Sequence, residues 1–544
     1  MKTKKFYCLI TVVLSVMFLL SACAGASGTA TTAPETAAAT DAATTGTTAA
    51  TDATAAPAAD DGSISRIVRI AQCTDVTSLD PQGHNATASG NVTRMIYDCL
   101  VRLDADGKTF VGMLAKDWEW LDNNNVQINL RQGVLFHNGD KMTSADVKYT
   151  LERMAQSGFS KHLVSMITEI KIVDDNTLVL TVTDNSAALL SSLAHQCAGV
   201  VDKAYTEALE AEGKTLSESP NGTGPYMFDH WTAGSECQVN RFADYYDEAY
   251  AAKNAGLLFK YYPDQDSAVI ALETGEVDVL LDVPSTAVST LSTTAGINLL
   301  EFESTELTYM ALNCSSGVFA DKRLREAVAY CVNRDNLVQV CCSGYGKPNF
   351  SPIGIAAIGY TDTKVQRATD IAKAKELMTE AGCPDGFTFT LLCYPALEKA
   401  AQVVQAACQE AGITCNVQAT EEAQLCAIAG KGQHDAGMGY WFANAEPDNS
   451  YMPLFHSDNN LTGSYNWINL ADPTLDGLIE QAQTEKDQTK RLAIYGQVND
   501  YIAENVIWIP LYSETGFVAT SDKVSGIVLY AIEMHLFQNI TISE

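Results

Sequence analysis

The groups in this 544-residue chain that could do chemistry are 8 histidines, 15 cysteines and 66 Asp or Glu residues. The histidines are His84, His137, His162, His195, His230, His434, His456 and His535, and the closest two, His434 and His456, are 22 positions apart. Zinc sites written in linear sequence need His or Cys a few residues apart on one turn or loop, so no HExxH or Cys/His spacing is present and no metal is expected. The cysteines are scattered, without a CxxC pair; in a chain this long most read as small buried hydrophobes, with one or two disulfides open. A strained G-x-S-x-G elbow is absent. Gly107-Lys108-Thr109 and Gly213-Lys214-Thr215 lack the upstream glycine of a phosphate-cradling loop. Acidic neighbours are frequent, as any chain with this many acids must have them. These residues do not make a catalytic centre, and the chain reads as a non-enzyme that needs no cofactor.

The pattern that points to binding is aromatic. Gly439-Tyr440-Trp441-Phe442-Ala443-Asn444-Ala445-Glu446-Pro447-Asp448 puts three rings in succession. On an extended strand Tyr440 and Phe442 share one face and Trp441 takes the other. Flat rings bury apolar or sugar surface of many shapes. Trp441 is the leading contact candidate, followed by Tyr440, Phe442 and Asn444. The loop His84-Asn85-Ala86-Thr87, after the first strand, is a second contact zone through Asn85 and Thr87.

The elements that must carry these residues begin late in the chain. Lys2, Lys4 and Lys5 precede the mostly apolar run Phe6 to Leu20, which ends in Leu20-Ser21-Ala22-Cys23. That combination reads as an export signal over residues 1–22. It resembles a bacterial lipobox, which makes Cys23 a lipid attachment site. Residues 23–63 are mainly Ala and Thr, without an aromatic or large aliphatic side chain. Such a segment cannot bury enough surface to offset its chain entropy and reads as a flexible linker. The chain as a whole is 47% hydrophobic with a net charge of −31. That suits two or three globular units. It argues against nucleic acid, whose phosphates need a basic face.

Within the body, Arg66 to Gln72 reads as the opening strand and Asn91 to Leu103 as a helix with Met95, Ile96 and Cys99 inward. Residues 126–131 and 177–183 alternate as strands. Thr143 is the N-cap of a helix running to Met154. Asn221-Gly222-Thr223-Gly224-Pro225 is a turn and a domain boundary. After about residue 308, helices and strands alternate, as in an α/β domain with a largely parallel sheet. Leu475 to Ala503 reads as helical.

Several stretches, in order, resemble family 5 of the bacterial extracellular solute-binding proteins. Leu114-Ala115-Lys116-Asp117-Trp118, Leu130-Arg131-Gln132-Gly133-Val134-Leu135-Phe136-His137-Asn138-Gly139 and Thr143 with Ala145-Asp146-Val147 carry the strongest match. Gly222-Thr223-Gly224-Pro225-Tyr226, Gly275-Glu276-Val277-Asp278, Asp321 to Ala327 and Glu446-Pro447-Asp448-Asn449 follow. The resemblance implies an α/β, two-lobed periplasmic-binding-protein-like clamshell of type II, in its large cluster C-like form with an extra inserted subdomain. Residues 64–108, 222–308 and 518–544 would form lobe I, 109–221 the inserted subdomain and 309–517 lobe II. It further implies a monomeric, extracytoplasmic lipoprotein of an ABC importer, held to the membrane by its lipid alone. Such a receptor captures peptides between its lobes and delivers them to a permease with ATPase subunits. In peptide-binding members an Asp before this Pro meets the peptide ammonium. Here Ala443 holds that position, so another acid substitutes or the solute is not a free-amine peptide. Glu446 and Asp448 are candidates that also match turn residues. An oligosaccharide or nickel chelate is the alternative solute, and an exported hydrolase the alternative class.

Overall fold

The computed structural model describes residues 64, 66–104, 109–183, 188–443, 446–463, 465–485 and 487–543. The export signal, the linker and Cys23 lie outside them, as does Asn444. A 12-stranded sheet organises most of the chain. In its first half, Ile67–Gln72 runs parallel to both Gly256–Tyr261 and Val279–Leu280. Glu236–Arg241 and Tyr226–Thr232 extend that half in antiparallel fashion. In the second half, Thr388–Cys393 lies parallel to both Thr414–Ala419 and Ala436–Phe442, and Glu306–Leu312 pairs antiparallel with the latter.

One strand belongs to both halves. Trp508–Ser521 pairs through Trp508 to Tyr512 with Glu306–Leu312, and through Thr515 to Ser521 with Ile297–Glu303. The consecutive strands Ile297–Glu303 and Glu306–Leu312 make the same passage through Ser304 and Thr305. The halves therefore communicate through two adjacent crossings. Gly516 sits at one of them because a Cβ there would lie 2.2 Å from Cζ of Phe302, on the neighbouring strand.

Apart from this sheet, Ala115–Trp120, Asn125–Leu130, Thr177–Val182 and Ile167–Asp174 form a four-stranded antiparallel sheet. Their alternating apolar side chains, with Phe136, Val147 and Leu151, form a separate core. The helix Ser144–Met154 closes it, with a capping box in which the Thr143 side chain accepts from the Ala145 N–H while Asp146 accepts from the Thr143 N–H. Phe136 is buried there, Trp118 packs at its margin, and Arg131 donates to the Met113 carbonyl at 2.6 Å. This explains the strongest sequence signature as a packing signature.

One expectation fails locally, and another is interrupted. The helix read over Asn91 to Leu103 is instead Thr87–Ile96, followed by coil and the strand Val101–Leu103. The Ile96 carbonyl, which the next helical turn would need, accepts from the Gly224 N–H at 2.8 Å. Asp98 is buried against Thr223 and Tyr245 instead of facing solvent from a helix. Leu475 to Ala503 falls into two helices, Pro473–Thr484 and Gln488–Asn505, the second begun by Asp487 capping Lys490. Among the described residues all 13 cysteines are free thiols, and ten of them are buried.

Candidate functional site

The parallel strands end at one place. Gln72 closes Ile67–Gln72, Asp282 follows Val279–Leu280, and Tyr440 and Phe442 close Ala436–Phe442. Between them and the two crossings lies a cleft of about 420 Å³, within the usual range for small-solute sites. Ligand sites in open α/β sheets form at the carboxyl ends of strands. The cleft takes Gln72, Thr87 and Asp282 from the first half of the sheet and Glu306, Tyr440 and Glu514 from the second.

The aromatic strand presents its faces as its parity requires, and this reverses the ranking of its residues. Tyr440 and Phe442 are exposed, edge to face at 5.9 Å, and line the cleft. Trp441 points to the other face. Its indole N–H donates to Ser450 Oγ at 3.0 Å and its ring meets Tyr465 edge-on. Trp441 is not among the residues lining the cleft. Gly437 and Gly439 allow this strand to lie against the buried Trp467 ring, which a Cβ at either would approach to 2.8 or 3.0 Å.

The second contact zone divides too. Thr87 opens the helix Thr87–Ile96 and lines the cleft. Asn85 is exposed outside the lining and its side-chain oxygen accepts from Gln196 at 2.9 Å. Glu446 and Asp448 do not replace the missing acid. Glu446 is buried in an ion pair with Arg491, and Asp448 accepts from Gln483 at 3.0 Å.

Sequence reasoning missed the acids that do line the cleft: Asp282, Glu306, Glu514 and Glu533. Burial pushes the carboxyl groups of all four upward. Neighbouring carboxylates add to this for Glu306 and Glu533, and Glu533 reaches about 7. Glu533 has φ +61°, a left-handed conformation rare outside glycine. It accepts from the Ser304 hydroxyl at 2.9 Å, tying the C-terminal segment to a crossing. His535, also on the wall, is lowered by burial to about 4 and is neutral at pH 7. No trio of His, Cys, Asp or Glu among the described residues could hold a metal ion.

A fold with two crossings and a cleft between two half-sheets is shared with known proteins. The sequence profile of the bacterial extracellular solute-binding proteins, family 5 Middle, matches residues 109–462. The chain belongs to family 5 of the bacterial extracellular solute-binding proteins. Family 5 proteins are the solute-binding components of ABC importers and work outside the cytoplasm. The glutathione-binding protein GsiB of Salmonella typhi is 29% identical over 472 residues, covering 84% of this chain and 91% of that one. The periplasmic binding protein DppA of Helicobacter pylori, solved with the peptide STSA, superposes with a TM-score of 0.77 at 23% identity, over 88% of this chain and 99% of that one. MoaA of A. tumefacien R10, solved with mannopinic acid, gives 0.73 at 25% identity, over 88% and 100%. The family 5 fold is two-lobed.

Proposed function

We propose that this family 5 protein is a lipid-anchored receptor that captures a small solute, a peptide or a solute of another class, between its lobes and hands it to a membrane permease powered by ATPase subunits. The observation that carries this reading is the cleft, whose walls come from both lobes beside the two chain crossings seen among the described residues. Such an arrangement favours hinge closure around a ligand, with Ser304-Thr305 and Ser513 to Thr515 absorbing the change. The domain limits expected from the sequence serve the same reading, with the antiparallel four-stranded sheet as the inserted subdomain. Cys23 supplies the anchor, and Tyr440, Phe442 and Thr87 supply contacts. The reading includes no catalytic step.

The relatives divide over the solute: one is named for glutathione, one was solved with a peptide and one with mannopinic acid. The test is a thermal-shift and small-angle scattering screen of the mature chain against short peptides, amines, oligosaccharides and nickel chelates. A solute at 100 times its Kd raises stability by about 2.7 kcal/mol, and closure reduces the radius of gyration. A chain that neither stabilises nor contracts with any solute class is not a receptor of this kind. Cys23→Ser should release the protein from the cell surface, and retention would remove the lipid anchor from the reading.

A further inference from the structure

Resting on the receptor reading above, we propose that the cleft selects a solute of net positive charge, carried on one or more ammonium groups and without a free carboxylate. Four carboxyl groups line it, and among its described lining residues there is no Lys or Arg. Their own partners are few and neutral. Asp282 accepts from the Cys73 N–H at 2.7 Å, Glu533 from Ser304, and Glu514 from the Cys342 thiol at 3.6 Å. The Glu306 side chain has no hydrogen bond or ion pair among the described residues.

A second, independent observation points to the same donor-rich ligand. Gln72 and Asn91 line the cleft with only 3% and 4% of their surfaces exposed. Gln72 Oε1 and Asn91 Oδ1 are buried acceptors without a hydrogen-bond partner. A buried acceptor left unpaired costs about 1–3 kcal/mol, which a donor on the solute recovers. An ammonium offers three N–H donors and no acceptor. A solute carboxylate offers only acceptors and would face acceptors and like charge.

The helix Thr87–Ile96 opposes this, because its N-terminal end at Thr87 and Ala88 faces the cleft. Its dipole is worth about half a positive charge. That is outweighed even if half of the carboxyl groups remain protonated. Tyr440, Phe442, Phe302 and Phe517 complete the walls, and aromatic faces attract cations. The absence of a metal-holding trio among the described residues favours an organic ammonium over a bare metal ion.

The acids also divide between the lobes. Asp282 and Glu533 stand on the first, Glu306 and Glu514 at the edge of the second. Closing an empty cleft presses like charges together in a medium of falling dielectric, whereas a cation between them converts that repulsion into attraction. The solute's charge thereby becomes the condition for closure.

The test uses three four-carbon probes on the mature chain: 1,4-diaminobutane, its N,N′-diacetyl derivative and succinate, with the zwitterion Ala-Ala as a fourth. Yeast extract, split by ion exchange into cation, neutral and anion fractions, covers solutes outside this set. The expected result is stabilisation and contraction with the diamine and the cation fraction only. Glu306→Gln should melt at the same or higher temperature without ligand, since it removes like charge, yet lose at least tenfold in diamine affinity. Stabilisation by succinate, Ala-Ala, the diacetyl compound or the neutral or anion fraction, with the diamine silent, overturns the charge inference and leaves the receptor reading standing. Full diamine affinity in Glu306→Gln also overturns it. Silence from every probe and fraction overturns both.

Discussion

Glu306 and Glu514 both line the cleft, each two residues past the paired Thr308 and Tyr512, and the Glu514 charge helps to raise the Glu306 carboxyl. Like charges held close together are destabilising, and a fold retains such a pair where something else compensates. Here the pair lies in the wall of the cleft, at the point where the chain passes between lobes. The electrostatic cost thus falls on the site and the hinge together.

Diamine binding should strengthen with pH. Glu533 has been pushed up from its ordinary 4.5 to about 7, chiefly by burial, with Asp282 and Glu514 adding repulsion and Ser304 opposing it. A raised folded value means that this group's stabilising contribution is full below about pH 4.5 and is lost as pH rises through 7. A bound ammonium needs the ionised form and reverses that preference. Affinity should rise between pH 6 and pH 8, by at most about tenfold per unit for each proton released. His535, at about 4, stays neutral throughout. Titration calorimetry at pH 6, 7 and 8 checks this, and a flat affinity would exclude Glu533 from ligand binding.

Tyr440→Ala and Trp441→Ala should separate binding from stability. Tyr440 is exposed on the cleft wall, so its loss should lower solute affinity severalfold and leave the unfolding midpoint nearly unchanged. Trp441 is half-buried and hydrogen-bonded to Ser450. Its truncation should cost about 2–3 kcal/mol, somewhat below the loss of a fully buried ring. Denaturant unfolding and calorimetry on the two variants distinguish these roles, and the opposite assignment of effects would return Trp441 to the cleft.

Gly516→Ala should destabilise the crossing. The added methyl would fall 2.2 Å from Phe302 Cζ, so the ring or the strand must shift. Overpacking of this kind costs about 1–3 kcal/mol. An unchanged denaturation midpoint would mean that Phe302 swings away freely.

Glu446→Ala should be far more damaging than its place near the aromatic strand suggests. It leaves the buried Arg491 guanidinium without its carboxylate. Breaking such a pair costs about 3–5 kcal/mol. A loss below 1 kcal/mol, with a large loss of solute affinity instead, would make Glu446 the amine-binding acid after all.

The sequence carries local information well and distant information poorly. Thr143 and Asp146 announce the helix Ser144–Met154 because a capping box is read within four residues. The alternation of Tyr440, Trp441 and Phe442 is equally local, and their faces follow from the pleat alone. What the pleat does not say is which face meets solvent, so ring size alone favours Trp441 over its neighbours. The helix expected to Leu103 stops at Ile96 because of a hydrogen bond from Gly224, 128 positions away. The acids of the cleft lie at 282, 306, 514 and 533, among 66 candidates. A usable signal did exist: Glu306 and Glu514 are charges set at the ends of otherwise apolar, buried runs.

The order of strands also dictates when this protein can fold. Ile67–Gln72 leans on Val279–Leu280, whose other neighbours are Thr520 and Ala519, and the same core is sealed by Phe537 and Ile540. The first lobe therefore waits for the last segment of the chain. A polypeptide emerging from a narrow channel cannot complete that lobe until nearly all of it has passed. That part of the chain stays unfinished through the passage, and the acid-lined cleft is assembled only on arrival.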